Sequence, residues 1–406
     1  MIPPLGLRLF ALHSQRRTLA CLVMVIILAG CSAVSSPSSS PTITLGPSSA
    51  SPTATATLPT AAPLTSPEGT SAEHPTPARW QEATAPAVDP AGQFDRIFSL
   101  GNMFLLASGS QIWTSIDGWT WTQQADLGGS DGPQVAAVTA GGPGYVAVGS
   151  VSSGAAVWTS TDGLTWDRIP DSPALHGADM VAVTRGAHGL VAVGGSGTYN
   201  QPHAAVWTSP DARGWERAPD EPIFTRGTME GVTAGGPGYV TVGGRFCATL
   251  CPEPGPLIWT SADGRSWRAV DPSSVVPTGP GIGWAVVKGP GALVEAVGMG
   301  GKGGSSAAVA WSTVDGVHWT SHFLGFADNG ALAISPVGIA GFVAVAENIW
   351  GTADGRTWRS LSGAKPPEFA PFGSIACGVD RCVAVGRDLN NAMAAEVWVG
   401  PARVTP

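Results

Sequence analysis

The chain has 406 residues, a formal net charge of −8 and only 12% charged positions, and its three lysines, Lys288, Lys302 and Lys365, are scattered. A surface that reads nucleic-acid phosphates needs clustered Lys and Arg, so that class of partner is excluded. With 55 Gly, 35 Pro and 16 Trp, the composition excludes a bundle of long amphipathic helices and favours short strands separated by tight turns.

In chain order, residues 1–30 form a targeting signal, with Arg8, Arg16 and Arg17 ahead of the apolar run Leu19 to Leu28. That run is too short for a dedicated membrane span. It ends in Leu28-Ala29-Gly30-Cys31, which resembles the lipobox of bacterial lipoproteins. The resemblance implies cleavage before Cys31 and a lipid on its sulfur, with an uncleaved anchor as the alternative. On either reading the remainder lies outside the cytoplasm, held at the bacterial cell membrane. Residues 31–77 follow as a Ser/Thr/Pro/Ala-rich tether, with too little apolar mass to offset the entropy of ordering it.

From residue 78 to 400 the chain repeats itself. Trp113, Trp158, Trp207, Trp259, Trp311, Trp350 and Trp398 recur at steps of 45, 49, 52, 52, 39 and 48 residues, the period of four-stranded propeller blades. Each sits in a β-prone run such as Ala155-Ala156-Val157-Trp158-Thr159-Ser160, preceded by a second run typified by Tyr145-Val146-Ala147-Val148-Gly149. Inner strands are expected near Val135 to Thr139, Met180 to Thr184 and Glu230 to Ala234. An outer strand follows each Asp-Gly turn, as in Ser160-Thr161-Asp162-Gly163-Leu164-Thr165-Trp166. There Asp bonds backbone N–H groups and Gly accepts the positive φ. The expected fold is therefore all-β, a seven-bladed β-propeller of four-stranded antiparallel blades, with 401–406 as a C-terminal tail.

Six such turns occur, around Asp117, Asp162, Asp211, Asp263, Asp315 and Asp354, the third degraded to Ser209-Pro210-Asp211-Ala212-Arg213-Gly214-Trp215, for seven tryptophan units. The last unit runs out after Trp398 and would leave an open edge. Upstream, Ala78-Arg79-Trp80-Gln81-Glu82 matches Leu164-Thr165-Trp166-Asp167-Arg168 in register. The segment near Trp80 is expected to supply the missing outer strand and close the ring.

The Ser-x-Asp-Gly-x-x-Trp turns resemble the Asp-box, or bacterial neuraminidase, repeat of sialidases and of many non-catalytic propellers, although most copies here lack the residue usually found between Asp and Gly. The sialidase resemblance would imply three arginines around a carboxylate, a Tyr nucleophile with a Glu, and an acid/base Asp. Only Tyr145, Tyr199 and Tyr239 exist, and two of them share the repeat position Gly-Tyr-Val, which leaves Tyr199 as the candidate nucleophile. Arg168-Ile169-Pro170 echoes the family's Arg-Ile-Pro signature but aligns with Arg217-Ala218-Pro219 as a repeat residue, and Arg96 stands in better chain order without the Pro. The non-catalytic variant is the reading that fits.

Cys247, Cys251, Cys377 and Cys382 are expected to form disulfides, as local pairs or in one of two crossed connectivities. Zinc is disfavoured by the ligand spacing. The histidines form no metal-spaced cluster, Gly298 to Gly304 lacks the context of a phosphate loop, and no cofactor is implied.

In a propeller, the first-to-second and third-to-fourth strand connections share one end. Here those are the stereotyped Gly-Gly-Pro-Gly and Asp-Gly turns. The other end carries connections that vary in length and chemistry, as binding loops on a rigid scaffold do. The candidate ligand face comprises Asp179, Tyr199, His203, Arg226, Glu230 and Phe326. Its carboxylates and rings suit a glycan, peptide or protein partner. The chain is expected to be a monomeric, non-catalytic binding module, with a sialidase-like hydrolase or lyase and an assembly factor for a membrane complex as alternatives.

Overall fold

The structure, a computed structural model, describes residues 74–88, 95–198, 201–244, 256–271, 275, 281–302, 305–327, 330–338, 341–361, 372–388 and 394–404. Cys31, Cys247, Cys251 and Tyr199 lie outside them.

Seven four-stranded antiparallel sheets follow one another. Blade 1 uses Asp95–Leu100, Met103–Ser108, Gln111–Ser115 and Thr122–Asp126, and blade 2 uses Gln134–Gly141, Gly144–Val151, Gly154–Ser160 and Asp167–Arg168. Blade 3 is built from Asp179–Gly186, Gly189–Thr198, Gln201–Ser209 and Glu216–Arg217, and blade 4 from Thr228–Gly235, Gly238–Gly244, Leu257–Ser261 and Trp267–Ala269. Blade 5 contains Ile282–Lys288, Val294–Lys302, Ser305–Thr313 and Thr320–Phe326, and blade 6 contains Ala333–Val337, Gly341–Val345, Ile349–Thr352 and Arg359–Ser360. Blade 7 takes Phe372–Cys377, Arg381–Asp388 and Ala394–Pro401 from the C-terminal end and Gln81–Ala83 from the N-terminal end.

The closing strand keeps the register expected of it. Glu82 pairs with Trp398 and Gln81 with Val399, as Arg168 pairs with Trp158 and Asp167 with Thr159 in blade 2. Inner strands pack against those of both neighbouring blades, and the first packs against the last, so the ring is shut. Blade faces are apolar on both sides because each must bury both, which explains the runs of Val, Ala and Trp without strict alternation. The core is accordingly divided into seven seams, one between each pair of adjacent blades. The tryptophans of the third strands fill these seams. Trp158, Trp207, Trp259 and Trp311 are no more than 1% exposed.

A second fastener joins the ends of the ring. Arg387 of blade 7 donates from Nε to Asp95 Oδ2 at 2.7 Å and from Nη2 to Asp95 Oδ1 at 2.9 Å, with Ser108 Oγ at 3.2 Å from Nη2. Both side chains are buried. Removing one member of such a pair strands the other charge, so Asp95→Ala is expected to cost about 3–5 kcal/mol in urea unfolding. The double variant Asp95→Leu/Arg387→Met should recover most of that loss, because the pair as a whole gains little over well-packed apolar groups.

Candidate functional site

The two ends of the ring differ as their residues do. At the turn end, each aspartate accepts hydrogen bonds from two backbone N–H groups, for example Asp263 Oδ1 from Arg265 N and Ser266 N at 2.8 Å each. The Ser266 and Arg265 amides hold the Asp263 carboxyl at about 2, below its ordinary range. The following Trp indole then donates to the turn carbonyl, in blades 1 to 5, at 3.0–3.2 Å. In blade 3 the glycine is replaced by Ala212, which takes the same left-handed conformation, φ 68°, and keeps the same bonds. All six aspartates thus serve as turn formers.

The N-terminal arm enters at this end. His74 Nδ1 lies 3.0 Å from Asp117 Oδ2 and its ring stacks on Trp119 at 5.4 Å, while Thr76 Oγ1 donates to Asp380 Oδ2 at 2.6 Å. Arg381 Nη1 bridges the carbonyls of His74 and Asp117 at 3.3 and 3.1 Å. Cys377 and Cys382, on adjacent strands of blade 7, are joined by a disulfide close by.

The irregular end begins with a feature that periodicity does not announce. In blades 2, 3, 4, 5 and 7 the inner strand carries a bulge next to its first residues, which gives Ala136, Val181, Glu230, Trp284 and Gly373 a shared position at the mouth of the central channel. Bulges re-aim side chains in this way. One register step further, six blades have Ala137, Ala182, Gly231, Ala285, Ala333 and Ser374, small enough for the crowded centre, whereas blade 1 has Arg96. Desolvation pulls the Arg96 guanidinium below its ordinary value, opposed by the charge of Glu230, which comes from blade 4 nearly across the ring. Glu230 Oε1 accepts from Thr228 Oγ1 at 2.6 Å, and Arg96 Nη1 reaches the Gly373 carbonyl at 3.4 Å. A cation and a carboxylate therefore share this mouth, with Trp284 at the bulge position of blade 5 and half-buried Asp179 at the head of the blade-3 inner strand.

Three other residues expected on loops are placed differently. His203 lies within the strand Gln201–Ser209, because the hairpin from Gly189–Thr198 is nearly continuous, and its partner is Ser196. Arg226 ends the 3-10 helix Pro222–Arg226. Phe326 belongs to the outer strand of blade 5, which at seven residues is the longest among the described outer strands. There a bulge opposite Ala308 and Val309 adds one residue and brings Phe323 and Phe326 to one side, with ring centroids 5.2 Å apart in a T-shaped pair. Both rings are exposed, by 42% and 64%. Beside them Phe326, Gly325, Ala327, Trp350, Glu347 and Asn348 line a hollow of about 40 Å³ between blades 5 and 6. That is room for the tip of one side chain or a water or two.

Among the described residues, the tyrosines and the Arg-Ile-Pro arginine singled out by the sialidase resemblance lie apart from one another. Tyr239 is buried in the seam between blades 3 and 4, and Arg168 pairs with Asp131. Tyr145 packs between blades 1 and 2, where burial raises its phenol above the ordinary value. Among the described residues no group of His, Cys, Asp and Glu could hold a metal ion.

One buried group breaks the repeat away from either end. The second-strand position occupied by Leu105, Val146, Val191, Val240, Val343 and Val383 in other blades is Glu295 in blade 5, with no exposure and no well-aligned hydrogen bond to either oxygen. Ser312, its cross-strand neighbour, gives its proton to the Gly355 carbonyl at 2.8 Å and lies 3.1 Å from His322 Nε2. Burial pushes the Glu295 carboxyl up to about 9, only partly offset by Ser312 and Trp358 facing it. It is a neutral acid at physiological pH.

Fold and surface together define a closed seven-bladed β-propeller with one regular and one irregular end. No protein-family model and no curated protein matches the chain. Among solved structures it is similar to YCF48 from Cyanidioschyzon merolae, with TM-score 0.51 and 17% identity over 80% of this chain and 99% of that one. A structure described as YCF48 bound to D1 peptide gives TM-score 0.53 and 16% identity over 82% and 99% of the two chains. Virginiamycin B lyase from Staphylococcus aureus gives TM-score 0.54 and 10% identity over 79% and 99%. Identities this low show a shared fold, which hosts both binding proteins and enzymes.

Proposed function

We propose that this chain is an extracytoplasmic propeller, anchored through a lipid on Cys31, that binds a segment of a protein partner at its irregular end and serves the assembly of an envelope complex. The exposed Phe323–Phe326 pair beside the hollow at Trp350 carries the reading. Paired rings offered to solvent next to a side-chain-sized recess are what an apolar anchor residue of a peptide needs, and such anchors dominate binding energy. The structure described as YCF48 bound to D1 peptide supports the choice, because it places a peptide on a propeller of the same architecture. The arm clamped at the turn end leaves the opposite end free to engage a partner.

A photo-crosslinking residue at Asn348, with a second at Arg185 on the turn end as a control, tests this in cells. The expected result is one discrete protein adduct from Asn348 and none from Arg185, lost on Phe326→Ala. Loss of an anchor of this kind should weaken the purified complex at least about tenfold. Adducts of equal yield from both positions, or an adduct indifferent to Phe326→Ala, would overturn it. Turnover of fluorogenic glycosides abolished by Tyr199→Phe would instead establish the hydrolase suggested by the resemblance of the turns to the neuraminidase repeat.

A further inference from the structure

Large exposed apolar side chains occur at both ends of the ring. Phe323 and Phe326 belong to the irregular end, whereas Ile116, Val314, Val317 and Val379, exposed by 49%, 64%, 39% and 91%, all stand on turns at the regular end. Ile116, Val314 and Val317 flank the turn aspartates of blades 1 and 5, and Val379 tips the inner hairpin of blade 7. Turns of a soluble propeller have no packing use for an isoleucine or valine pointing outward. The same rim carries Arg213, Arg265 and Arg356, each exposed and each immediately after the turn residue that follows an aspartate. Each stands two residues after a turn aspartate that is itself ionised, so this rim interleaves both signs of charge. Asp211, Asp263 and Asp354 each accept two backbone N–H bonds, and Arg265 has Glu216 at 3.6 Å on an exposed pairing. Asp380 is engaged by Arg381 at 2.8 Å.

Aliphatic tips interspersed with arginines on one end match one kind of surface. The tips fit the boundary between headgroups and acyl chains, and the guanidinium groups fit anionic headgroups. The N-terminal arm reaches the propeller at this end, through His74 and Thr76. From these placements we infer that the turn end is a lipid-facing surface, apposed to an anionic bilayer through Ile116, Val314, Val317 and Val379 and through Arg213, Arg265 and Arg356. The inference rests on the anchored reading above and adds an orientation to it: the Phe323–Phe326 end points away from the membrane.

The test uses the full lipidated chain on vesicles of phosphatidylglycerol with brominated acyl chains, carrying an environment-sensitive fluorophore at Val379→Cys or, separately, at Asn348→Cys. Both sites are exposed, so neither label disturbs the core. Quenching at 379 is expected to exceed that at 348 several-fold, and to fall to parity in phosphatidylcholine vesicles or when Arg213, Arg265 and Arg356 are changed together to Glu. Equal quenching at the two sites in phosphatidylglycerol, on vesicles that carry the protein, would overturn the lipid-facing surface while leaving the anchor intact. Failure of the wild-type chain to sediment with vesicles, with Cys31 unmodified by mass spectrometry, would overturn both.

Discussion

Deleting residues 78–83 is expected to lower the thermal midpoint of the chain sharply and to broaden its transition. The deletion removes the outer strand of blade 7, whose three ladder pairs to Val397, Trp398 and Val399 tie the N-terminal end of the chain to its last blade. It also removes Trp80, 4% exposed, which packs in the seam between blades 6 and 7 and lies flat on the backbone at Gly400. Truncation of a buried Trp alone costs about 3–5 kcal/mol, so Trp80→Ala should reproduce a large part of the effect with the chain intact. The remainder comes from the exposed edge left along Ala394–Pro401, an invitation to pairing between molecules. Circular dichroism melts and light scattering would record the two components. An unchanged midpoint in the deletion would refute closure by this strand.

Glu295→Val should have the opposite sign. Valine restores the residue type found at the equivalent positions of blades 2, 3, 4, 6 and 7, and removes a carboxyl that has neither solvent nor a well-aligned partner. A gain of about 1–3 kcal/mol at neutral pH is expected, the cost of a buried polar group left without a good hydrogen bond. The pH dependence is diagnostic. The native carboxyl keeps its proton up to about 9, against an ordinary value of 4.5. Between these values the folded chain holds a proton that the unfolded chain has released, so stability falls as pH rises, by at most about 1.4 kcal/mol per unit, and levels off above about 9. Burial also depresses His322, which adds a slope of its own below the ordinary imidazole value. Urea unfolding between neutrality and pH 9 therefore isolates Glu295. Wild-type chain should lose stability across that interval, Glu295→Val should not, and Glu295→Gln should remove the slope without restoring the packing. A wild-type profile as flat as that of Glu295→Val would show the carboxyl to be ionised or hydrated in the native chain.

The fold was legible because propeller blades are local. Each Trp unit, its preceding Val-rich run and its Asp-Gly turn lie within about fifty residues, a span set by four short strands and their connections. The count of six turns against seven units, with Trp80 in register, carried even the closure. Asp179 and Glu230 could be placed at inner-strand entrances by the same logic. Phe326 and His203 could not be placed correctly, since strand ends are decided by pairing partners rather than by local propensity.

What the sequence by itself determined is the number of blades, their strand order, the strand that shuts the ring and the contrast between a regular and an irregular end. All of these follow from a repeat whose interactions are between near neighbours. Only the tertiary structure decided which side chains of distant blades meet. Arg96 and Glu230 face each other because ring closure sets blade 1 nearly opposite blade 4, and Asp95 finds Arg387, 292 residues away, because it sets blade 1 beside blade 7. Phe323 joins Phe326 because one extra residue in a strand overrides the alternation that would have parted them. The aliphatic turn tips share one end for a similar reason: every blade turns the same way about a common axis, and no single repeat contains that axis.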